Sequence, residues 1–400
     1  MEEIRVQMQQ KVLEELAVCG SISDEELLCS IDEIICREGR QRHFSLRQKL
    51  QIRKEIYNAI RGLDLIQELL EDDTVTEIMV NGYQDIFVEQ NGKIRRYEKS
   101  FSSEEKLNDI IQKMVSSANR VVNETTPVVD ARLADGSRIN VVLPPVSLIG
   151  PVVTIRKFPE QFTVKQLIEK GSVSEECASF LKSLVEARYN LFISGGTGAG
   201  KTTFLNALSH YIPENERIIT IEDSAELQLD IPNMVRMEAR NRNMEGKNEI
   251  KIRDLIRTAL RMRPDRIIVG EVRSDEALDM LQAMNTGHDG SISTGHANSP
   301  VDMLTRLEMM VLMAAEIPLA AVKSQIASAI DILIHLERFR DGSRKVVSVE
   351  EVIGYQNGEI CIQPLFSYDR EKGELYRTEH QMAQKEKMWK SGRQFVCSNL

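Results

Sequence analysis

Four hundred residues exceed one ordinary domain and call for two or three. The 42% hydrophobic and 28% charged fractions are those of a soluble globular protein. The 51 basic against 61 acidic side chains leave a net charge of −10, which argues against a general nucleic-acid binder; a local basic patch stays open.

The longest apolar runs, such as Met309–Ala315, fall far short of a membrane span, and Met1-Glu2-Glu3-Ile4-Arg5 is no signal peptide. The expectation is a cytoplasmic chain whose membrane link, if it has one, comes through a partner. Cys19, Cys29, Cys36, Cys177, Cys361 and Cys397 show no C-x-x-C spacing, so no zinc site is indicated and mostly buried, reduced thiols are expected.

In chain order, residues 1–62 read as a helical segment. Ser23-Asp24-Glu25-Glu26 is a capping box ahead of Leu27, Leu28, Ile31, Ile34 and Ile35, with Gly39 placed to end the helix. Ser45-Leu46-Arg47-Gln48 is a second box, leading into Leu46, Leu50, Ile56 and Ile60.

Residues 63–160 change to short strands, Glu77–Val80, Asp85–Glu89 and Lys93–Tyr97, punctuated by Asn81-Gly82 and Asn91-Gly92. A helix over Glu104–Ala118, a hairpin around Asp135-Gly136 and a strand at Val152–Lys157 complete a small α+β domain. A linker is expected at 161–171.

From 172 to 368 strands and helices alternate, which implies an α/β domain with a parallel sheet covered on both faces. Strand-like runs are Leu191–Ser194, Arg217–Glu222, Val235–Glu238, Arg266–Gly270 and Gly290–Thr294, with a meander near 330–338, 345–354 and 359–367. Residues 369–400 are polar and expected to be flexible or loosely docked.

Chemistry centres on Gly195-Gly196-Thr197-Gly198-Ala199-Gly200-Lys201-Thr202, followed by Thr203, a complete G-x-x-x-x-G-K-[ST] phosphate-binding loop between a strand and a helix. Such a loop turns backbone N–H groups inward around phosphate oxygens. Lys201 supplies a point charge for the β/γ-phosphates, and Thr202 a hydroxyl for Mg²⁺. Two apolar runs end in acids: Ile218–Ile221 in Glu222, and Ile267–Val269, through Gly270, in Glu271. In an open α/β sheet functional groups gather outside the carboxyl ends of strands. His288 and His296 bracket a fifth strand, and a histidine there can bond a γ-phosphate or hold a carboxylate.

Arg132 and Arg138 flank the Asp135-Gly136 turn. A three-residue loop with Gly136 left-handed puts them opposite each other on one face, whereas a two-residue loop puts them on opposite faces. With Arg156 they are candidates to close on a bound triphosphate, against the plainer reading of edge charges. Arg253, Arg257 and Arg261 recur every four residues and read as a solvated or subunit-facing stripe.

Together the series Gly-Gly-Thr-Gly-Ala-Gly-Lys-Thr-Thr, Thr-Ile-Glu-Asp, Arg-Pro-Asp-Arg-Ile-Ile-Val-Gly-Glu-Val-Arg and Gly-His-Asp-Gly-Ser-Ile-Ser-Thr-Gly-His-Ala-Asn resembles the Walker A, aspartate, Walker B and histidine boxes of the type II and type IV secretion ATPases. Thr76–Gly82 and Asp130–Arg138 resemble the tight-adherence pilus branch (CpaF/TadA type). The resemblance spans about 60–365. It implies a RecA-like P-loop NTPase domain behind the small α+β domain, and a homo-oligomer, a hexameric ring, under polytopic platform proteins on the cytoplasmic side of the inner membrane. ATP and Mg²⁺ would be used to drive pilus assembly or protein secretion, with no specific nucleic acid as partner. It further implies that Glu222 helps activate or position water, that Glu271 supports Mg²⁺, and that Arg132, Arg138 and Arg156 match the arginines of the N-terminal domain; His296, from its own place at the strand end, is expected to sense nucleotide. Which of Glu222 and Glu271 is the main base stays open. A RecA-like nucleic-acid motor and a non-catalytic nucleotide-binding ring are the alternatives. The acidic charge counts against the first, and the joint presence of Lys201, Thr202, Glu222, Glu271 and His296 against the second.

Overall fold

The structure, a computed structural model, describes residues 2–19, 23–42, 44–90, 92–158, 161–240 and 249–392. The chain divides into two compact units, residues 1–160 and 161–400.

The first unit opens with α1 (Glu2–Cys19), α2 (Asp24–Arg42) and α3 (Leu46–Ile60). Both predicted capping boxes form: Ser23 and Glu26 bond reciprocally, as do Ser45 and Gln48. The three helices share a core of Met8, Val12, Leu27, Ile31, Ile34, Ile35, Ile52 and Ile56. Two expectations fail here. Gly39 lies inside α2, which runs on to Arg42. In α3 the inward face is Ile52 and Ile56, while Leu46 and Leu50 are 74% and 55% exposed. Leu50 and Ile52 stand two residues, about 200°, apart around a helix, so one face cannot hold both.

Next come α4 (Leu65–Glu71), β1 (Val75–Asn81), β2 (Asp85–Gln90), β3 (Lys93–Arg96), α5 (Glu104–Ser117), β4 (Val128–Arg132), β5 (Arg138–Val142) and β6 (Val152–Arg156). The six strands form an antiparallel sheet ordered β3-β2-β1-β6-β5-β4. Alternate residues, among them Ile78, Val80, Ile139 and Val153, turn inward and pack with Leu107, Ile110, Ile111 and Met114 of α5.

The second unit contains α6 (Val164–Glu169), α7 (Glu175–Glu186), β7 (Leu191–Gly195), α8 (Lys201–Ser209), β8 (Ile218–Glu222), β9 (Met234–Glu238), α9 (Ile252–Ala259), β10 (Arg266–Val269), α10 (Glu276–Asn285), β11 (Ile292–His296), α11 (Pro300–Ala314), α12 (Leu319–Ala329), β12 (Ile332–Arg338), β13 (Arg344–Gln356), β14 (Glu359–Asp369), β15 (Glu374–Arg377) and α13 (Glu386–Lys390). Its sheet is ordered β15-β14-β13-β12-β7-β11-β10-β8-β9. The six strands from β12 to β9 are parallel, and β13, β14 and β15 extend the edge antiparallel, so the sheet is mixed rather than purely parallel. Leu191 and Ile193 enter one core and Phe192 another, which is the signature of strands covered on both faces.

The segment expected as a linker carries α6, capped by Thr163, with Val164 and Leu167 in the same core as α7. The tail expected to be loose is anchored through residue 390. Tyr189 Oη donates to the Gln384 carbonyl, Lys387 reaches Asp331 and Asp289 at 2.7 Å each, and Met388 is buried. Buried Glu351 accepts the N–H groups of Ala383 and Gln384 at 2.8 and 2.6 Å. Polar side chains dock here because each finds a charged or hydrogen-bonding partner on the sheet.

The arginine stripe of α9 is solvated in part, with Arg257 and Arg261 exposed, but two of its members also pair at α10: Arg253 with Asp275 and Asp279, and Arg257 with Asp279. Cys29 and Cys36 are exposed, Cys361 is half-buried and Cys177 is buried, so buried thiols are not the rule; the side chains of Cys19 and Cys397 lie outside the described residues. Among the described residues no helix is long and apolar enough to cross a membrane.

Candidate functional site

The parallel strands of the second unit end on one edge, and the marked residues gather there. β7 runs into the loop 195–200, and Lys201 opens α8. Gly195 lies opposite both His296 of β11 and Leu336 of β12. A Cβ at Gly195 would stand 2.4 Å from the Leu336 carbonyl oxygen, so only glycine lets the loop leave the sheet here. Lys201 is 7% exposed; its Nζ donates to the carbonyls of Gly195 and Gly196 at 3.1 and 3.0 Å. It also stands 3.2 Å from His296 Nδ1. Burial holds the Lys201 pKa below its ordinary value. Thr202 and Thr203 follow, half-buried, in the first turn of α8.

Glu271 follows β10 by two residues. Its Oε1 lies 2.8 Å from His296 Nε2, and its Oε2 accepts from Arg273 Nη2 at 2.7 Å. Lys201, His296 and Glu271 thus stand in line beneath the phosphate loop, the His296–Glu271 approach being a close contact outside hydrogen-bond geometry. Burial, and then the charge of Lys201, lower the His296 pKa. The ring is therefore neutral at pH 7, with Nδ1 facing the lysine's protons. His288 sits before the other end of β11, its Nδ1 3.3 Å from the Ala283 carbonyl, and does not join the cluster.

Glu222 ends β8, next to Gly270, whose N–H bonds Ile221. Its Oε2 accepts the N–H groups of Glu226 and Leu227 at 2.6 and 3.0 Å. Its Oε1 is buried without a hydrogen-bond partner. Burial raises its pKa, against the lowering effect of those two N–H bonds. A Cβ at position 270 would stand 2.8 Å from Glu222 Cγ. The glycine at the usual Walker B aspartate position has a steric reason: Glu222 occupies the space.

In the first unit, Arg132 lies opposite Arg138, Arg138 opposite Arg156, and Arg156 opposite Glu77. Leu133 N–H bonds Ser137 O, Gly136 N–H bonds Leu133 O, and Gly136 has φ +90°. This is the three-residue loop, so the arginines share one row on one face of the sheet. Like charges in register repel, and the carboxylate of Glu77 continues the row beside Arg156.

Three side chains at the loop edge were not singled out by the motifs. Arg273 bonds Glu271 and approaches Asp223 at 3.5 Å. Buried His335 of β12 holds Ser194 Oγ through Nδ1 at 2.8 Å. Arg344 Nε donates to the Gly198 carbonyl at 2.9 Å. Arg273 closes the Walker B series itself. His335 carries no local signal, because its role comes from β12 lying beside β7.

The family pattern described as "Type II/IV secretion system protein" matches residues 60–399. A Mycobacterium tuberculosis protein named for conjugal transfer is 34% identical over 318 residues, covering 78% of this chain and 90% of that one. VirB11, a type IV secretion system protein of Bartonella quintana, is 30% identical over 328 residues, covering 72% and 91%. In fold, the chain is similar to the pilus retraction motor PilT with bound ADP, at TM-score 0.54 and 20% identity over 82% of this chain and 87% of that one. It is also similar to the Legionella pneumophila ATPase DotB, at TM-score 0.52 and 20% identity over 73% and 80%. A complete phosphate loop, two acids at adjoining strand ends and a family match over most of its length identify the chain as an ATPase of the type II/IV secretion system family.

Proposed function

We propose that this chain is the ATP-hydrolysing motor of a tight-adherence pilus or a related secretion machine. It works as a homo-oligomer, a hexameric ring on the cytoplasmic face of the inner membrane, docked on polytopic platform proteins. The observation that carries the reading is the line of Lys201, His296 and Glu271 beneath the phosphate loop, with Glu222 at the next strand end. The residues 195–200 surround the phosphates with backbone N–H groups, and Lys201 moves from the loop carbonyls to the β/γ-phosphates. His296 carries the presence of the γ-phosphate to Glu271. Glu222 Oε1 and Glu271 Oε1 are both buried without a hydrogen-bond partner, so each is a candidate to take a proton from water.

Hard oxygen donors at Thr202 and Glu271 suit Mg²⁺, which would neutralise charge on the transferring phosphate. Arg132, Arg138 and Arg156 add positive charge from the first unit, and the cargo is an exported protein or a pilin.

The test is steady-state phosphate release by the purified chain, with and without single-stranded DNA, together with co-sedimentation on vesicles with and without platform proteins. Expected are turnover without DNA and sedimentation only with the platform proteins. Nucleotide binding without turnover would turn the reading into a passive ring, and DNA-dependent turnover into a nucleic-acid motor.

A further inference from the structure

One seven-residue pattern occurs twice. Arg132-Leu133-Ala134-Asp135-Gly136-Ser137-Arg138 lies in the first unit, and Arg338-Phe339-Arg340-Asp341-Gly342-Ser343-Arg344 in the second. Both read R-x-x-D-G-S-R, and both fold the same way. Phe339 N–H bonds Ser343 O, Gly342 N–H bonds Phe339 O, and Gly342 has φ +86°. Asp341 accepts both the N–H and the hydroxyl of Ser343, as Asp135 does from Ser137. In each hairpin the loop sets the flanking arginines directly opposite each other, Arg338 against Arg344 as Arg132 against Arg138. Two guanidiniums in register on one edge repel unless an anion or an acceptor lies between them.

The second hairpin stands on the phosphate loop. Arg344 Nε donates to Gly198 O at 2.9 Å. A Cβ at Gly198 would lie 3.4 Å from Arg338 Nη1, and one at Gly200 3.2 Å from Arg344 Cδ. The hairpin's own acids are engaged elsewhere, Glu337 with Arg370 and Asp341 with Ser343. Among the described residues Arg338 has no carboxylate partner. The far side of the hairpin is braced: the Phe339 ring packs tilted against Tyr368, centroids 5.4 Å apart, and Lys345 Nζ donates to Tyr368 Oη at 2.9 Å.

A trans peptide sets its N–H opposite its carbonyl. Holding the Gly198 carbonyl toward Arg344 therefore aims the Ala199 N–H to the inside of the loop, where it makes a long 3.3 Å bond to Gly196 O. We propose that the Arg338/Arg344 hairpin is a working part of the nucleotide site. Arg344 is a positioning residue that holds the phosphate loop in its binding shape through Gly198, and the paired charge of Arg338 and Arg344 is relieved by the triphosphate of the same chain. The proposal rests on the reading of residues 195–202 as the ATP site, and it adds a second arginine pair to the one expected from the first unit.

The experiment uses the full chain and a fluescent, non-hydrolysable ATP analogue. Arg338→Ala, Arg344→Ala, Arg344→Lys and Lys201→Ala are compared by titration at several salt concentrations, by KM and kcat for ATP, and by thermal melts without nucleotide. Arg344→Ala is expected to weaken binding about tenfold, the loss of one charge-assisted hydrogen bond. It should raise KM more than it lowers kcat and flatten the salt dependence of affinity. Arg344→Lys keeps the charge but not the guanidinium geometry, so it should restore the salt dependence and only part of the affinity. Arg338→Ala should flatten the salt dependence with a smaller loss of affinity. All melts should match the wild type. Wild-type affinity in both alanine variants, with Lys201→Ala unable to bind, overturns the hairpin's role and leaves the ATP site standing. Wild-type affinity in Lys201→Ala overturns the ATP site and the hairpin's role with it. Affinity losses that track a lowered melt would make the arginines structural and also overturn the proposal.

Discussion

His296 Nε2 lies 2.8 Å from Glu271 Oε1, and the opposite nitrogen of the same ring faces Lys201 Nζ at 3.2 Å. One imidazole stands between the phosphate-loop lysine and the Walker B acid. Replacing His296 with alanine should therefore separate binding from turnover. Affinity for ATP should change little, while single-turnover hydrolysis should fall on the order of 10²-fold. Equal losses in both would return His296 to a binding role.

The same ring sets a pH limit. Its pKa is held below 6.5, first by burial and then by the Lys201 charge. The neutral form that accepts from Lys201 is the populated one above pH 6.5, so the rate should be insensitive to this group from pH 8 down to 6.5 and decline as the ring protonates below. Between the folded pKa and 6.5 the unfolded chain binds more protons, so His296 makes stability fall as pH falls through that window. His296→Asn should remove this part of the acid sensitivity, which melts recorded from pH 5 to 7.5 would reveal.

Glu222 is the opposite case. Burial raises its pKa above 4.5, so the folded chain binds more protons between 4.5 and the folded pKa, and stability falls as pH rises through that window. At pH 7 the charged carboxylate is a cost the fold carries. Glu222→Gln keeps an oxygen for the Glu226 and Leu227 N–H groups and drops the charge. It should melt no lower than wild type at pH 7 and still lose about 10²-fold in kcat. Glu271→Gln should also spare binding more than hydrolysis, and Lys201→Ala should abolish most binding. Near-normal turnover in both glutamine variants would overturn the assignment of the two acids.

The arginine row of the first unit offers a larger effect. Arg132→Ala with Arg138→Ala removes like charges that face each other, so the stability change should stay within about 0.5 kcal/mol. If the pair stabilises transferring phosphate, hydrolysis should fall on the order of 10³-fold. The matching fragment should start at residue 161 and not at 172, because α6 supplies Val164 and Leu167 to the second unit's core. Wild-type turnover by that fragment would show that the first unit adds nothing to catalysis.

The docked tail is open to an independent check. Glu351 is fully buried and accepts from Gln363, Ala383 and Gln384. Glu351→Ala should lower stability by about 1–3 kcal/mol, the cost of leaving buried donors unpaired. Urea midpoints read the change, and an unchanged midpoint would mean that residues 382–390 contribute no stability.

By itself the sequence determined what depends on neighbouring residues. The capping boxes at Ser23 and Ser45, the strand–loop–helix around Lys201 and the alternating pattern of the second unit follow from local periodicity and backbone preference, and the structure forms them all. What required tertiary structure was every pairing across the chain. The choice between two loops at Gly136 turned on one left-handed residue and decided whether Arg132 faces Arg138. The reason for Gly270 lies 48 residues upstream, in the space Glu222 fills. The tail reads as loose because its polar side chains find Asp331, Glu351 and Tyr189 only after the sheet has formed. Burial and partner choice are properties of the packed chain, and a local window cannot contain them.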